Sequence, residues 1–246
     1  MLTNFKLTIE YDGSRYSGWQ KQKNDRTLQG EIEKALMTMT DKKIVLHGSG
    51  RTDAGVHALG QVANFPCDTK ILPEEFQRGL NSLLPDDIVI QSCERVHKKF
   101  HARFNAKHKT YSYRILNRPT PAAVGRQYAW FIRKKLDFDA MELAIPHIIG
   151  THDFKAFEGS GSPRSHTIRS VMKAYLTVMD QEQVVFEIQA DGFLRYMVRN
   201  IVGTLVDVGH GKITPDEFNK ILLSRDRELA GATAPPHGLF LMAVKY

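Results

Sequence analysis

Cysteine is nearly absent from this chain, with Cys67 and Cys93 the two copies in 246 residues. Two thiols cannot build a disulfide framework or a four-thiolate metal centre, so both read as reduced filler side chains. Nowhere do the ~18 consecutive apolar residues of a membrane-crossing helix occur. Met1 runs into an alternating segment without a basic and then apolar leader, so a soluble, cytoplasmic protein with no membrane partner is expected. Nucleotide fingerprints are missing as well. The glycines of residues 48–60 lack the Lys-Ser/Thr of a phosphate-cradling loop and the Gly-x-Gly-x-x-Gly spacing of a dinucleotide site.

What is present is a globular composition, 42% hydrophobic and 25% charged, which excludes fibrous and disordered classes. The length allows one large domain or two small ones. Lys and Arg total 34 against 27 Asp and Glu, a net charge of +7. A surface with that positive field has a polyanion as its natural partner.

Phe5–Tyr11 alternates apolar and polar side chains, the period of a strand with one buried face, and Asp12-Gly13 stops it. Leu28, Ile32, Ala35, Leu36 and Met39 then recur at helical spacing behind Thr27, a residue suited to cap the helix. Strand-like runs at Ile44–His47, Gln61–Phe65 and Ile88–Cys93 accompany a helix from Pro73 that presents Phe76, Leu80, Leu83 and Leu84. Further strands are predicted at Tyr111–Leu116, Tyr128–Ile132, Arg169–Met179, Val184–Ala190 and Leu239–Tyr246. Helices are predicted at Asp139–Ile149 and Gly192–Val208, with a last one after the capping box Thr214-Pro-Asp-Glu217. This pattern is α+β: two similar subdomains of mixed or antiparallel sheet with flanking helices, at residues 1–104 and 105–246.

The most unusual stretch is His47–Gln61, where Gly48, Gly50, Gly55 and Gly60 surround Arg51 and Asp53. Glycine is favoured where backbone takes positive φ or approaches something closely, so a loop this rich in it suits a binding function. A tight turn with a solvated aspartate is the plain alternative.

The segment Gly50-Arg-Thr-Asp-Ala-Gly-Val-His-Ala58, with Tyr11-Asp-Gly and Gly18-Trp-Gln-Lys-Gln22 upstream, resembles the bacterial tRNA pseudouridine synthase A family. Phe100-His-Ala-Arg103, Lys109-Thr-Tyr-Ser-Tyr113, Asp153-Phe-Lys-Ala-Phe157, Met197-Val-Arg-Asn-Ile-Val-Gly203 and Gly238-Leu-Phe-Leu241 follow in the family's order across nearly the whole chain. The resemblance implies a pseudouridine synthase fold with its catalytic cleft between the subdomains. It further implies a homodimer acting on the anticodon arm of tRNA at positions 38–40, with no cofactor and no metal. It makes Asp53 the catalytic residue and Tyr111 the contact to the target base.

The residue types suit that chemistry. A carboxylate can attack C1′ of the ribose, attack C6 of the uracil or remove a sugar proton, and the sequence does not choose among them. An acid in a pocket dry enough for uracil needs a cation to stay ionised. Arg199 shares with Arg195 the narrow polar stripe of the helix predicted from Gly192, where both could equally be solvated charges; the resemblance makes Arg199 the preferred partner and leaves Arg195 and Tyr196 as RNA contacts. Arg51, two residues from Asp53, can pair with the carboxylate or fill the gap left by an extruded base. Tyr111 offers a face for stacking and a hydroxyl, and Tyr113 shares its side of the strand.

From Arg95 to Lys109 the chain has no acidic residue and interleaves aromatics with cations. Lys98, Lys99, Arg103, Lys107 and Lys109 are read as phosphate contacts. His97 and His101 are four apart but lack a third ligand. The rival functions are a non-catalytic RNA-binding module, opposed by the intact Asp53, Arg51, Tyr111 and Arg199 set, and a base glycosylase releasing uracil, opposed by the lack of a second placed carboxylate.

Overall fold

In the computed structural model, which describes residues 2–159, 161, 166–179 and 182–246, the chain forms two compact units. One is Met1–Lys107 with Phe240–Tyr246, the other His108–Leu239. In chain order the elements are β1 (Leu2–Tyr11), α1 (Leu28–Thr40), β2 (His47–Gly48), β3 (His57–Asp68), α2 (Pro73–Leu83), β4 (Ile88–Val96), β5 (His108–Asn117), β6 (Trp130–Ile132), α3 (Phe138–Ala144), β7 (Gly150–Asp153), β8 (Ile168–Met179), β9 (Gln183–Ala190), α4 (Met197–Gly209), α5 (Pro215–Ser224) and β10 (Leu239–Lys245). This is a mixed sheet architecture with flanking helices, as expected from the sequence. Among the described residues no helix is long and apolar enough to cross a membrane.

In the first unit the alternation of β1 buries Phe5, Leu7, Ile9 and Tyr11. The strand pairs antiparallel with β3 and with β4, placing Phe5 opposite Phe65. β10 joins β3 in parallel at Phe240 and Leu241. Helix α2 lays Phe76 against both Phe5 and Phe65, with ring centroids 4.9 and 5.3 Å apart. That aromatic cluster, with Leu28, Ile32 and Leu36 of α1, forms the unit's core. Thr27 caps α1 as predicted, accepting the Gly30 N–H at 3.3 Å.

Two expectations in this unit need correction. Ile44–His47 is not a strand, and only His47 enters a ladder. Ile44 and Leu46 are buried alternately as a strand's would be, yet α1 side chains take the Leu46 backbone: its N–H donates to Glu33 and its carbonyl accepts from Gln29. Strand β3 extends back to His57 and so includes Gly60, which the glycine pattern assigns to the loop. A Cβ there would sit 2.4 Å from the Met242 carbonyl oxygen, so the bare backbone admits β10.

In the second unit β5, β9, β8 and β7 form an antiparallel series, and β6 runs parallel to β5. Helix α4 is buried on nearly every side, and Phe154, Phe157 and Phe218 fill the core near it. The Thr214 capping box is present, with Glu217 N–H donating to Thr214 Oγ1 and Thr214 N–H to the Glu217 carboxylate. The helix predicted at Asp139–Ile149 stops at Ala144 and tightens to a 3₁₀ turn over Ile145–Ile148, since Pro146 has no N–H to continue it. Tyr128 closes a short 3₁₀ turn rather than opening β6.

The largest correction concerns α4. It begins at Met197, not Gly192, because Tyr196 takes the left-handed conformation with φ of 61°. Arg195 therefore precedes the helix and does not share a helical stripe with Arg199.

Candidate active site

The glycine-rich loop joins β2 to β3, and its backbone is fixed from both sides. Tyr11 and Thr52 hydroxyls bond at 2.7 Å within the core, and Trp19 N–H donates to the Thr52 carbonyl. Burial pushes the Tyr11 hydroxyl pKa up, so this bond keeps its proton across the physiological range. Gly18, at φ of 92°, brings its chain within contact of that carbonyl, where a Cβ would stand 2.8 Å away. Gly48 likewise lies flat on the Trp19 indole. From the other side the Gln61 side chain accepts from Ser49 Oγ at 2.7 Å and donates to the Gly50 carbonyl at 3.1 Å.

His57 fastens the loop's far end. Its Nδ1 accepts the Gly13 N–H at 3.2 Å and lies 3.1 Å from the Asp12 carboxylate, while its ring stacks on Phe240. Val56 N–H closes a turn onto the Asp53 carbonyl. In this locked frame Thr52 is buried, Arg51 is exposed and Asp53 is half-buried. A carboxylate thus stands at the surface of a preorganised loop with a guanidinium two residues away, a geometry suited to covalent or proton-transfer chemistry on a bound ligand.

In the second unit β5 carries Tyr111 and Tyr113. Tyr111 is 8% exposed and meets the Phe193 ring edge-on at 4.9 Å. Tyr113 is wholly buried, packed on Trp130, and donates its hydroxyl to the Pro235 carbonyl at 2.8 Å. Burial raises its pKa, which the Arg199 charge partly offsets.

Arg199 is held against Ala234 and Tyr196. Its Nε donates to the Ala234 carbonyl at 2.7 Å, Ala234 N–H returns a bond to the Arg199 carbonyl, and its guanidinium lies 4.9 Å from the Tyr196 ring centroid. The extended segment bearing Ala234 comes this close to α4 because Gly203 has no side chain, since a Cβ would fall 1.7 Å from the Ala232 oxygen. The Arg195 guanidinium also lies over Tyr196, at 4.7 Å, and donates to its hydroxyl. Gly159 makes room for the ring, and its N–H donates to the Arg195 carbonyl. The sequence marks Tyr196 only as an RNA contact; its place against both guanidiniums follows from a backbone conformation that tertiary contacts enforce.

Arg51 and Asp53 share one loop of the first unit. In the second, the structure brings the guanidiniums of Arg195 and Arg199 to the Tyr196 ring. Lys98, Lys99, Arg103 and Lys107 are exposed, whereas Lys109, on β5, is half-buried opposite Ala190. The segment holding His97 and His101 is not helical, and among the described residues no three His, Cys, Asp or Glu side chains cluster as metal ligands. Cys67 and Cys93 are both free, and burial pushes the Cys93 thiol up to about 12.

A family model described as tRNA pseudouridine synthase matches residues 7–105 and 144–246. The tRNA pseudouridine synthase A of Acetivibrio thermocellus is 49% identical over 245 residues, covering 100% of both chains. Those of a Thermoanaerobacter species and of Clostridium acetobutylicum are also 49% identical, over 246 and 245 residues, again with 100% of both chains covered.

Proposed function

This chain belongs to the tRNA pseudouridine synthase family, and we propose that Asp53 carries its chemistry, acting on uridines of the tRNA anticodon stem-loop. The enzyme is an isomerase that converts uridine in tRNA to pseudouridine. The bond from uracil N1 to ribose C1′ breaks, the base turns over, and C5 joins C1′. The C5 proton is lost and N1 ends protonated. No electron is gained or lost, so the residues themselves suffice and no cofactor is assigned.

In this reading the target nucleotide is extruded from the RNA stack so that its base reaches the carboxylate. Asp53 supplies the nucleophile or base. Arg199 is the cation that keeps it ionised, and Tyr111 presents its ring and hydroxyl to the uracil. Arg51, exposed beside Asp53, either pairs with that carboxylate or occupies the place the base has left. Lys98, Lys99, Arg103, Lys107, Lys109 and Arg195 ground the phosphate backbone. The working form is a cytoplasmic homodimer.

The observation that carries the assignment is the locked loop. Thr52 and Gln61 hold its backbone while Asp53 remains half-buried, which fixes a reactive group in place before substrate arrives. The Asp53→Asn protein should fold and bind tRNA yet form no pseudouridine. Turnover within a few hundredfold of wild type would refute the role.

A further inference from the structure

The basic stretch before β5 holds an aromatic feature that phosphate binding leaves unexplained. Phe104 is 74% exposed, yet its ring lies 4.4 Å from that of His101, which in turn lies 5.1 Å from His47. The Arg103 guanidinium sits 5.5 Å from the Phe104 centroid. The ring therefore keeps a face open to a planar partner.

The exposure is built in rather than left by a loose loop. The Ala102 N–H donates to the buried Asn64 side chain at 2.8 Å, and the Ala102 carbonyl accepts from Tyr246 at 2.8 Å. The Asn105 side chain accepts the His101 N–H at 2.7 Å, and Asn105 N–H donates to the His101 carbonyl. The His101 Nδ1 accepts the Arg103 N–H at 3.1 Å, which fixes the ring as a neutral tautomer. Burial, His47 and Arg103 together lower its pKa, so the ring stays uncharged at neutral pH. The turn is therefore pinned at its centre by Asn64 and Tyr246 and holds Phe104 outward against the His101 ring, with His47 behind it.

We propose that Phe104, backed by His101 and His47, is a stacking platform for an unpaired nucleobase of the RNA substrate, separate from the Asp53 loop. A flat ring with a guanidinium beside it offers what any exposed base face takes, and the exposed Lys98, Lys99 and Lys107 supply the charge that draws the phosphate chain across it. Because stacking is indifferent to base identity, the platform orients the RNA without selecting its sequence. This rests on the family's tRNA substrate, though not on Asp53 being the catalytic group.

The test measures unmodified tRNA binding over a salt series. Phe104→Ala should weaken binding about five- to hundredfold and leave the slope of log K against log salt unchanged, whereas Phe104→Trp should bind as wild type does. In the Trp variant, tRNA should quench the new indole fluorescence. Lys98→Ala with Lys99→Ala should lower the salt slope instead, by about one unit for each phosphate no longer neutralised. Unchanged tRNA affinity in Phe104→Ala overturns the platform. So does a loss of self-association in that variant, which would make the ring an interface to a second copy of the chain. Failure of Asp53→Asn to abolish turnover bears only on the catalytic assignment, since this test reads binding.

Discussion

Replacing Tyr196 separates the strain in its backbone from the attraction its ring provides. A left-handed conformation costs a side-chain-bearing residue about 1 kcal/mol relative to glycine. The ring meets two half-buried guanidiniums, Arg195 at 4.7 Å and Arg199 at 4.9 Å, worth about 0.5–1 kcal/mol each. Tyr196→Gly removes both attractions but relieves the strain, for a net loss of about 0–1 kcal/mol. Tyr196→Ala removes the same attractions and keeps the strain, for a loss of about 1–2 kcal/mol. For a chain of this length 1 kcal/mol corresponds to about 2–4 °C in Tm, so the alanine variant should melt about 2–4 °C below the glycine variant. Turnover should sort the variants differently. Tyr196→Phe keeps the plate under Arg199 and should stay close to wild type, while the glycine and alanine variants fall together. Thermal melts followed by single-turnover pseudouridine formation read both quantities. An alanine variant as stable as glycine would refute the strain, and turnover that separates glycine from alanine rather than phenylalanine from both would refute the role of the ring.

Arg199→Met should reduce turnover more than tRNA affinity, and equal loss of both, measured by kinetics and titration, would make Arg199 a docking residue. Gly203→Ala should destabilise the fold by about 1–3 kcal/mol, seen in denaturant melts, because the new Cβ meets the Ala232 carbonyl and the segment bearing Ala234 must move. His101, His210 and His237 all have pKa values lowered chiefly by burial, so protonation favours the unfolded chain. Stability should be complete above the ordinary histidine value of about 6.5 and fall as pH drops below it, and His237→Gln should make that fall shallower in pH-dependent melts. Pseudouridine formation on prefolded tRNA should persist in chelator, with no base label released as free uracil; release in step with turnover would indicate a glycosylase.

Much of the protein was legible from local patterns. The alternation of Phe5–Tyr11 produced β1, and Thr27 and Thr214 cap the helices they precede, because a cap is a bond to a neighbour three residues away. The motif from Gly50 to Ala58 announced the family because its residues are contiguous in the chain. Pro146 carried a local signal that the helix expected over Asp139–Ile149 ran through, since a proline inside a helical pattern removes a donor whatever surrounds it.

Other features had no local cause. Ile44 and Leu46 have a strand's burial without its ladder, because Glu33 and Gln29 from α1 satisfy the backbone instead. Gly60 belongs to a strand because β10 passes within reach of its missing side chain, and Gly203 serves the segment bearing Ala234 in the same way. The apolar periodicity from Phe193 onward resembles one unbroken helix, yet Tyr196 turns left-handed with its ring on Gly159, which moves Arg195 off the helix. Sequence thus determined the family and the periods of the main elements, since both follow from residue type and short-range spacing. Tertiary structure alone decided where backbone approaches backbone and which side chains hold Arg199 and Phe104 in place, since those interactions join residues tens of positions apart in the chain.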